Sequence, residues 1–261
     1  MLVGGPMKRI RIAAALLLFS SLCPAQVPSG VRFQPAAYPE HESAAVWRSL
    51  GASYVRKALK DNLLDRDPAW NARLDSVMAA VGAAAATLFP GFVNAPWRAL
   101  LIDDFGHGAV AFPGGTVLVD ANFVRQLALT DNELALLLAH EVAHLVAAHP
   151  SEKLSFMAET LGMERAPTAG SALLAFYAQD SYALLFVPTA RLQEREADAI
   201  GASILLASGY DWPQALALFD KLAKLDQRGH EASSHDPALV RKQSVQDVLE
   251  GLQAPKAAAA Y

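Results

Sequence analysis

The chain has 261 residues and a formal net charge of -4, and 53% of its residues are hydrophobic whereas 18% are charged. This composition is typical of a globular protein with a sizeable core, and it excludes a disordered chain. Because no run of lysine and arginine occurs beyond the extreme N-terminus, nucleic acid is not an expected partner.

The segment 1–25 has the pattern of a secretory signal peptide. Three basic residues precede the apolar run 12–22, and Ala25 is a small residue suited to cleavage. The run is about half of the ~20 residues that a membrane span needs, and an uncleaved anchor is the alternative. Cleavage would also remove Cys23, the only cysteine, so a metal site has to use histidines and carboxylates. The pattern predicts an exported protein, with a bacterial periplasm as the favoured compartment.

Two helices and a small sheet are predicted in the first half of the chain. Residues 26–43 carry three prolines and are predicted to be an irregular lead-in. Apolar spacing predicts a helix at 44–64 and a second one that begins at Pro68 and ends near Leu88. Short strands that we expect to form an antiparallel sheet are predicted at 98–103, 109–112 and 116–119.

A strongly apolar helix is predicted next. It begins at the capping box 130–133, in which a threonine is followed three residues later by a glutamate. It is predicted to continue to about His149, where Pro150 ends it. Because this helix is apolar on nearly every side, we expect it to be buried.

The rest of the chain is predicted to be mainly helical. Residues 151–188 are interpreted as helical pieces with breaks. Their apolar stretch 173–187 is interpreted as core, with a membrane-facing or lid segment as the alternative. Later elements are predicted as helices at 190–208, 212–225 and 237–252, with a polar loop at 226–236. Together the elements predict one α+β domain over residues 44–252, mainly helical with a small antiparallel sheet, and a flexible tail at 253–261.

The buried helix contains the motif His140-Glu141-Val142-Ala143-His144. Histidines at i and i+4 lie ~40° apart around a helix and one turn along it, so their imidazoles can converge on one point. Neutral imidazole is a good zinc ligand, and a catalytic zinc site has three protein ligands. Glu141 lies beside the histidines, where it can act as general base towards the attacking water. Satisfied core histidines are the weaker alternative, because burying these three groups is costly unless they are paired.

A third metal ligand is needed, and Glu194 is the candidate. Glu194 and Asp198 are spaced i, i+4 on the later helix, so both carboxylates face one side. Asp198 is then predicted to accept a hydrogen bond from the outer N–H of a ligand histidine. Such a pair is often only a solvated face, but Ile200 and other apolar neighbours indicate partial burial. Glu196 is expected to point away from Glu194, and His149 is interpreted as a structural or surface residue.

At these motifs the chain resembles the zinc metallopeptidases typified by the heat-shock protease HtpX and the CAAX-prenyl endopeptidase. Five segments carry the resemblance: 138–144, 194–198, 209–215, 109–115 and 234–241. The likeness extends over about residues 65–250. It implies a mainly helical, zincin-like (gluzincin) domain in which the small sheet lies beside the helix of the two histidines.

The resemblance also implies an endopeptidase that binds one zinc ion per chain. Its metal ligands would be His140, His144 and Glu194, and Glu141 would be the base. His235 would lie near the reacting centre, where it is a candidate for stabilising the oxyanion. The alternative for His235 is an exposed loop histidine.

Substrate binding is assigned to the predicted strand at 108–112. Gly108, Ala109, Val110 and Ala111 are expected to pair with an extended polypeptide as an added strand, with Arg241 as a further substrate-binding residue. Family and export together imply a role in envelope protein quality control, with peripheral membrane or envelope-protein contact as a further expectation. Two alternatives stay open: a zinc-containing chaperone-like or binding protein with little proteolysis, and a non-peptidase hydrolase that uses the same zinc site.

Overall fold

The computed structural model describes residues 36–91, 96–226 and 235–254. The predicted signal peptide, most of the lead-in and residues 255–261 of the predicted tail lie outside the described residues. Helix α1 spans Glu40–Lys60, so it begins earlier than predicted. Helix α2 spans Pro68–Leu88 as predicted, because Asp67 caps its first N–H groups and Pro68 takes a position where a missing N–H is harmless.

The sheet has three strands in the order β1-β3-β2: β1 Arg98–Ile102, β2 Ala109–Phe112 and β3 Thr116–Asp120. Strands β2 and β3 form an antiparallel hairpin, and the turn between them uses positive φ at Gly114 and Gly115. The prediction of an antiparallel sheet is wrong for β1, which pairs with β3 in parallel. After β1 the chain leaves the position next to β1 empty and forms β2 beyond it. Strand β3 then fills the position between β1 and β2.

The two outer edges of this sheet differ. Segment 63–65 covers the edge of β1, since the N–H of Asp65 donates to Leu101 O (3.0 Å) and the N–H of Asp103 donates to Leu63 O (2.8 Å). No described residue adds a strand to the outer edge of β2. This second edge faces the functional cleft.

Helix α3 spans Ala121–Gln126 and helix α4 spans Asp131–Val146. The capping box at the start of α4 is formed by both of its reciprocal hydrogen bonds, as the sequence predicts. The predicted end near His149 is wrong: α4 ends at Val146, Ala148 adopts a left-handed φ of 57°, and α5 spans His149–Leu161. Pro150 therefore lies in the first turn of α5, where its missing N–H is harmless.

The later helices are α6 Ala169–Ala178, α7 Asp180–Ala207, α8 Trp212–Ala215, α9 Ala217–Asp226 and α10 Ala238–Gln253. Two predictions are corrected here. Helix α7 begins well before residue 190 and continues through Pro188, and the helix predicted at 212–225 is divided at Leu216. Within the described residues, no helix is long and apolar enough to cross a membrane.

The apolar stretch 173–187 is divided between core and surface. Leu173, Phe176 and Phe186 are buried, whereas Leu174, Leu184 and their neighbours Tyr177 and Leu185 are exposed. The core interpretation therefore holds for only part of this stretch.

Helix α4 runs through the centre of the molecule, as its composition predicts. Leu134, Leu138 and Val142 are fully buried, and burial of each such side chain contributes roughly 1.5–3 kcal/mol. Helix α7 packs against α4 at very short range at Gly201, where an added Cβ would lie 3.1 Å from the Cα and the backbone N of His140. This close approach positions the polar face of α7 against the histidines of α4.

Candidate metal centre

Three side chains predicted as metal ligands converge in a cleft of about 610 Å³. His140 Nε2 lies 3.1 Å from His144 Nε2 and 3.1 Å from Glu194 Oε2. His144 Nε2 lies 3.6 Å from Glu194 Oε1. The two histidines come from adjacent turns of α4, and Glu194 reaches them from α7.

These separations fit a tetrahedral metal site. An ion with bonds of ~2.0–2.1 Å keeps its ligand atoms about 3.3 Å apart, close to the three observed separations. Glu194 Oε2 is buried and accepts no well-aligned hydrogen bond from any described residue, although His235 Nε2 lies 2.9 Å away. A buried carboxylate oxygen in this state is suited to a metal ion.

The charges around the cluster also suit a cation. Burial lowers the pKa of His144 well below its ordinary value, so this imidazole is neutral and able to bind a metal. Burial would raise the pKa of Glu194, but His144, His140 and His235 outweigh it and hold that pKa well below its usual range. At His140, burial favours the neutral ring, but Asp198 and Glu194 raise its pKa to about 10. The carboxylates thus stabilise a positive charge here, which a metal ion can supply in place of a proton.

Glu141 lies between the ligand histidines in sequence and faces strand β2. Its Oε2 accepts a hydrogen bond of 3.1 Å from the backbone N–H of Ala111. Burial raises the pKa of Glu141 to about 7, and a pKa near the working pH is the range that suits a general base. The predicted base, the metal cluster and the edge of β2 therefore occupy one place.

The outer nitrogen of His140 is bonded to the carboxylate predicted to hold it. His140 Nδ1 lies 3.0 Å from Asp198 Oδ1. Arg241 donates two hydrogen bonds to the same carboxylate, one from Nε (2.8 Å) and one from a terminal nitrogen (2.7 Å). Burial would raise the pKa of Asp198, but Arg241 and His140 lower it to about 2. Arg241, predicted as a substrate-binding residue, thus has its guanidinium engaged with Asp198.

The outer nitrogen of His144 has a partner that the sequence did not indicate. His144 Nδ1 lies 2.9 Å from Nδ1 of His149, and His149 Nε2 lies 3.4 Å from Glu196 Oε2. Both His149 and Glu196 are buried. The surface interpretation of His149 is therefore wrong, and Glu196 points into the protein beside the site. The helix break at Ala148 turns the His149 ring back towards His144.

His235 is also brought to the cluster, with its Nε2 2.9 Å from Glu194 Oε2 and 43% of its side chain exposed. The next residue, Asp236, pairs with Arg195 of α7 at 2.6 Å and 3.3 Å. This ion pair links residue 236, shortly before α10, to the helix that carries Glu194.

Residues 108–112 all line the cleft, but only alternate residues of strand β2 direct their backbone N–H and C=O groups towards it. Gly108 O accepts a hydrogen bond from Asp120 N–H (3.0 Å), so its backbone faces β3. Ala111 N–H bonds Glu141 and faces outward. Because backbone groups alternate along an antiparallel strand, Val110 faces β3 like Gly108, and Ala109 faces the cleft like Ala111.

Comparison with known proteins decides which family this site belongs to. The pattern of peptidase family M48 matches residues 68–249, which include the whole metal cluster. The chain belongs to peptidase family M48. This family membership confirms the predicted resemblance to metallopeptidases.

Three curated relatives illustrate the similarity. The chain is 29% identical over 205 residues to the β-barrel assembly-enhancing protease of Escherichia coli, and the match covers 73% of this chain and 39% of the relative. It is 30% identical over 171 residues to the mitochondrial metalloendopeptidase OMA1 of Schizosaccharomyces pombe, covering 62% and 50%. It is 33% identical over 145 residues to the β-barrel assembly-enhancing protease of Yersinia pestis, covering 50% and 29%. The chain thus spans half or less of the length of these relatives.

Proposed function

We propose that this M48 peptidase is a zinc-dependent endopeptidase that binds one zinc ion per chain and cleaves unfolded or extended polypeptides. One observation carries the proposal: the His140, His144 and Glu194 cluster lies beside Glu141 and the open edge of β2. Two imidazoles and one carboxylate form a ligand set typical of catalytic zinc, which leaves a position for water or substrate. The adjoining strand edge favours a peptide substrate over a small ester or amide.

The residues divide the chemistry between them. When bound, zinc supplies Lewis acidity towards the scissile carbonyl and lowers the pKa of the attacking water. Glu141 accepts a proton from that water and passes it to the leaving amine. The N–H of Ala111 holds the Glu141 carboxylate in place during both transfers. His235 is a candidate donor to the oxyanion, because its exposed ring lies against the cluster.

The edge of β2 supplies a way to hold extended chains. Ala109 and the carbonyl of Ala111 offer backbone groups to the cleft, so a substrate can add to the sheet as a strand. Main-chain hydrogen bonds of this kind bind many sequences but require an extended backbone. This requirement favours unfolded over compact substrates.

The proposal extends to location and role. The signal-peptide pattern of residues 1–25 supports export, with a bacterial periplasm as the compartment. Bacterial relatives named for β-barrel assembly, and OMA1 named as a metalloendopeptidase, support a role in quality control of envelope proteins. Contact with a membrane surface or with envelope proteins fits the same role.

The decisive experiment compares the wild type with Glu141→Gln on an unfolded protein substrate, at equal zinc content verified by elemental analysis. We expect cleavage by the wild type and loss of cleavage in the variant. Equal cleavage by both proteins would refute the assignment of Glu141. If neither cleaves while each binds one zinc ion, the zinc-containing chaperone-like or binding protein becomes the better description.

A further inference from the structure

Lys153 occupies an unusual place in the cleft. It lies on α5 one helical turn after His149, and it lines the cleft that contains the metal cluster. Its Nζ is 5.1 Å from the ring centre of Phe176, 5.5 Å from that of Phe186 and 5.6 Å from that of Trp47. All three distances lie within the ~6 Å range of cation–π contacts.

The aromatic surroundings of Lys153 are built from three helices and are tightly packed. Phe176 of α6 and Phe186 of α7 meet edge to face, with ring centres 5.7 Å apart. Trp47 of α1 donates from Nε1 to the carbonyl of Pro150 at 3.0 Å, which fixes its ring against α5. All three rings are buried. The ammonium is therefore held in one place by side chains that have little freedom to move.

These rings attract the ammonium but do not neutralise its charge. Within the described parts of the chain, no carboxylate lies within 4.0 Å of Lys153 Nζ, whereas the other cationic lysine or arginine side chain of the cleft, Arg241, is paired with Asp198. Burial lowers the pKa of Lys153, and the charge of the metal ligand Glu194 opposes that effect. Lys153 is thus a partly dehydrated cation close enough to the metal cluster to interact with it electrostatically.

We propose that Lys153 binds a carboxylate of the substrate in this cleft. The inference rests on the proposed endopeptidase function and adds a substrate class to it: extended peptides with an acidic group on the aromatic side of the metal. A carboxylate that enters here receives charge-assisted N–H···O bonds from a cation that has already lost much of its water, which strengthens the attraction. The carboxylate comes either from an aspartate or glutamate side chain or from the C-terminus of the substrate.

Matched peptide pairs test the proposal and separate the two sources. One pair differs only by an internal Glu or Gln, scanned along positions on both sides of the cleaved bond, and the other only by a C-terminal acid or amide. The zinc-loaded wild type is expected to prefer the acidic member of one pair by about ten- to a hundredfold in kcat/KM. Preference within the first pair identifies an acidic side chain, and preference within the second identifies the C-terminus.

Three variants of the whole chain assign the preference to Lys153. Lys153→Met keeps the apolar stem and is expected to reduce the acid-to-neutral ratio to near one, whereas Lys153→Arg keeps the charge and most of the ratio. Lys57→Met removes an exposed cation of α1 that pairs with Asp61 outside the cleft, and its ratio should equal that of the wild type. Peptide binding to Glu141→Gln, measured by fluorescence anisotropy with and without Lys153→Met, reports the same ratio without turnover.

Each result bears on one claim. Equal cleavage of acidic and neutral peptides by the wild type overturns the inference and leaves the endopeptidase intact, as does a ratio that survives Lys153→Met. Failure of the zinc-loaded wild type to cleave any peptide or unfolded protein overturns the proposed function, and binding to Glu141→Gln then decides the inference separately. Thermal unfolding checks each variant, and Lys153→Gln replaces Lys153→Met if the latter does not fold.

Discussion

The two histidines of α4 that we propose as metal ligands have different hydrogen-bond partners. His140 bonds directly to the carboxylate of Asp198, which Arg241 holds through two short contacts. His144 bonds instead to a second imidazole, that of His149, which is followed by Glu196 at the longer distance of 3.4 Å. His140 therefore contacts a carboxylate directly, whereas the ring of His149 lies between His144 and the carboxylate of Glu196.

This difference sets what each side requires. A carboxylate accepts the outer N–H of His140 and makes that ring a stronger ligand, as is common in zinc sites. On the other side, His144 can bind a metal through Nε2 only if its proton is on Nδ1, which then donates to His149 Nδ1. His149 must in turn carry its proton on Nε2, facing Glu196. Metal binding by His140 therefore depends on the charge of Asp198, whereas metal binding by His144 depends on the tautomers of two imidazole rings.

The largest effect is expected from Asp198→Asn. The amide oxygen can still accept from His140, but Arg241, whose side chain is only 11% exposed, loses its partner ion. Leaving a buried charge unpaired in this way destabilises the fold by about 3 kcal/mol or more, and loss of the carboxylate lowers zinc affinity roughly 10- to 100-fold. Urea unfolding and competition with a fluorescent zinc chelator measure the two effects.

The neighbouring lysine of α10 provides the control for Asp198→Asn. Lys242 pairs with the half-exposed Asp220, so Lys242→Met should change stability by about 1 kcal/mol or less and leave zinc affinity unchanged. If Asp198→Asn is no more harmful than this control, the charged pair does not support His140.

A smaller effect is expected from His149→Leu, which removes the acceptor for His144 Nδ1–H. Zinc affinity should fall roughly tenfold, with the change visible in chelator competition and in the zinc-dependent part of thermal stability. His149→Gln offers an amide oxygen to His144 and an amide N–H to Glu196, and it should recover much of the affinity. Equal losses in the leucine and glutamine variants would show that His149 acts by packing alone.

The sequence predicts the partners of His140 better than those of His144. His140, His144, Glu194 and Asp198 lie within two helices, where i, i+4 spacing fixes the shared face. His149 was missed because a single helix through residue 149 places its ring on a different face. Pro150 predicts that the helix ends near this point, but an alanine at position 148 gives no sign of the left-handed φ that breaks the helix before His149. Glu196 points away from Glu194, as its position on the helix predicts, but its side chain then contacts His149 and not solvent.

The sheet shows the same limit at a larger scale. The strand positions followed from short apolar runs and from the turn before β3, all of which are local signals. The parallel pairing of β1 with β3 depends on the path of the chain between β1 and β2. That path is a tertiary feature, and the apolar run within each strand carries no information about it.

A still smaller change is expected from Glu196→Gln, which keeps an oxygen near His149 but removes the charge. Because the 3.4 Å contact is long and one ring away from the proposed metal position, we expect zinc affinity to fall only about threefold, below the roughly tenfold lower end of the range for direct partners of metal ligands. Ser203→Ala is the control, since Ser203 is buried on the same helix and, among the described residues, its hydroxyl bonds only to the carbonyl of Ala199. A loss of zinc affinity as large as that of Asp198→Asn would mean that the indirect contact of Glu196 with His144, through His149, is as important as the direct contact of Asp198 with His140.

The smallest effect on zinc affinity is expected from Gly201→Ala, which affects the surroundings of both His140 and His144. The new Cβ would lie 3.1 Å from the backbone of His140, so α7 has to shift from α4 by a few tenths of an ångström. Glu194 and Asp198 move with it, and close-packed cores transmit such shifts; we expect an about twofold loss of zinc affinity, about 0.4 kcal/mol. Gly251→Ala on α10 is the matched control, because no described atom outside its own stretch of helix lies within 4 Å of its added Cβ and the stability of the helix should rise slightly. Unchanged zinc affinity in Gly201→Ala would show that the two helices can separate at this point without moving the ligands.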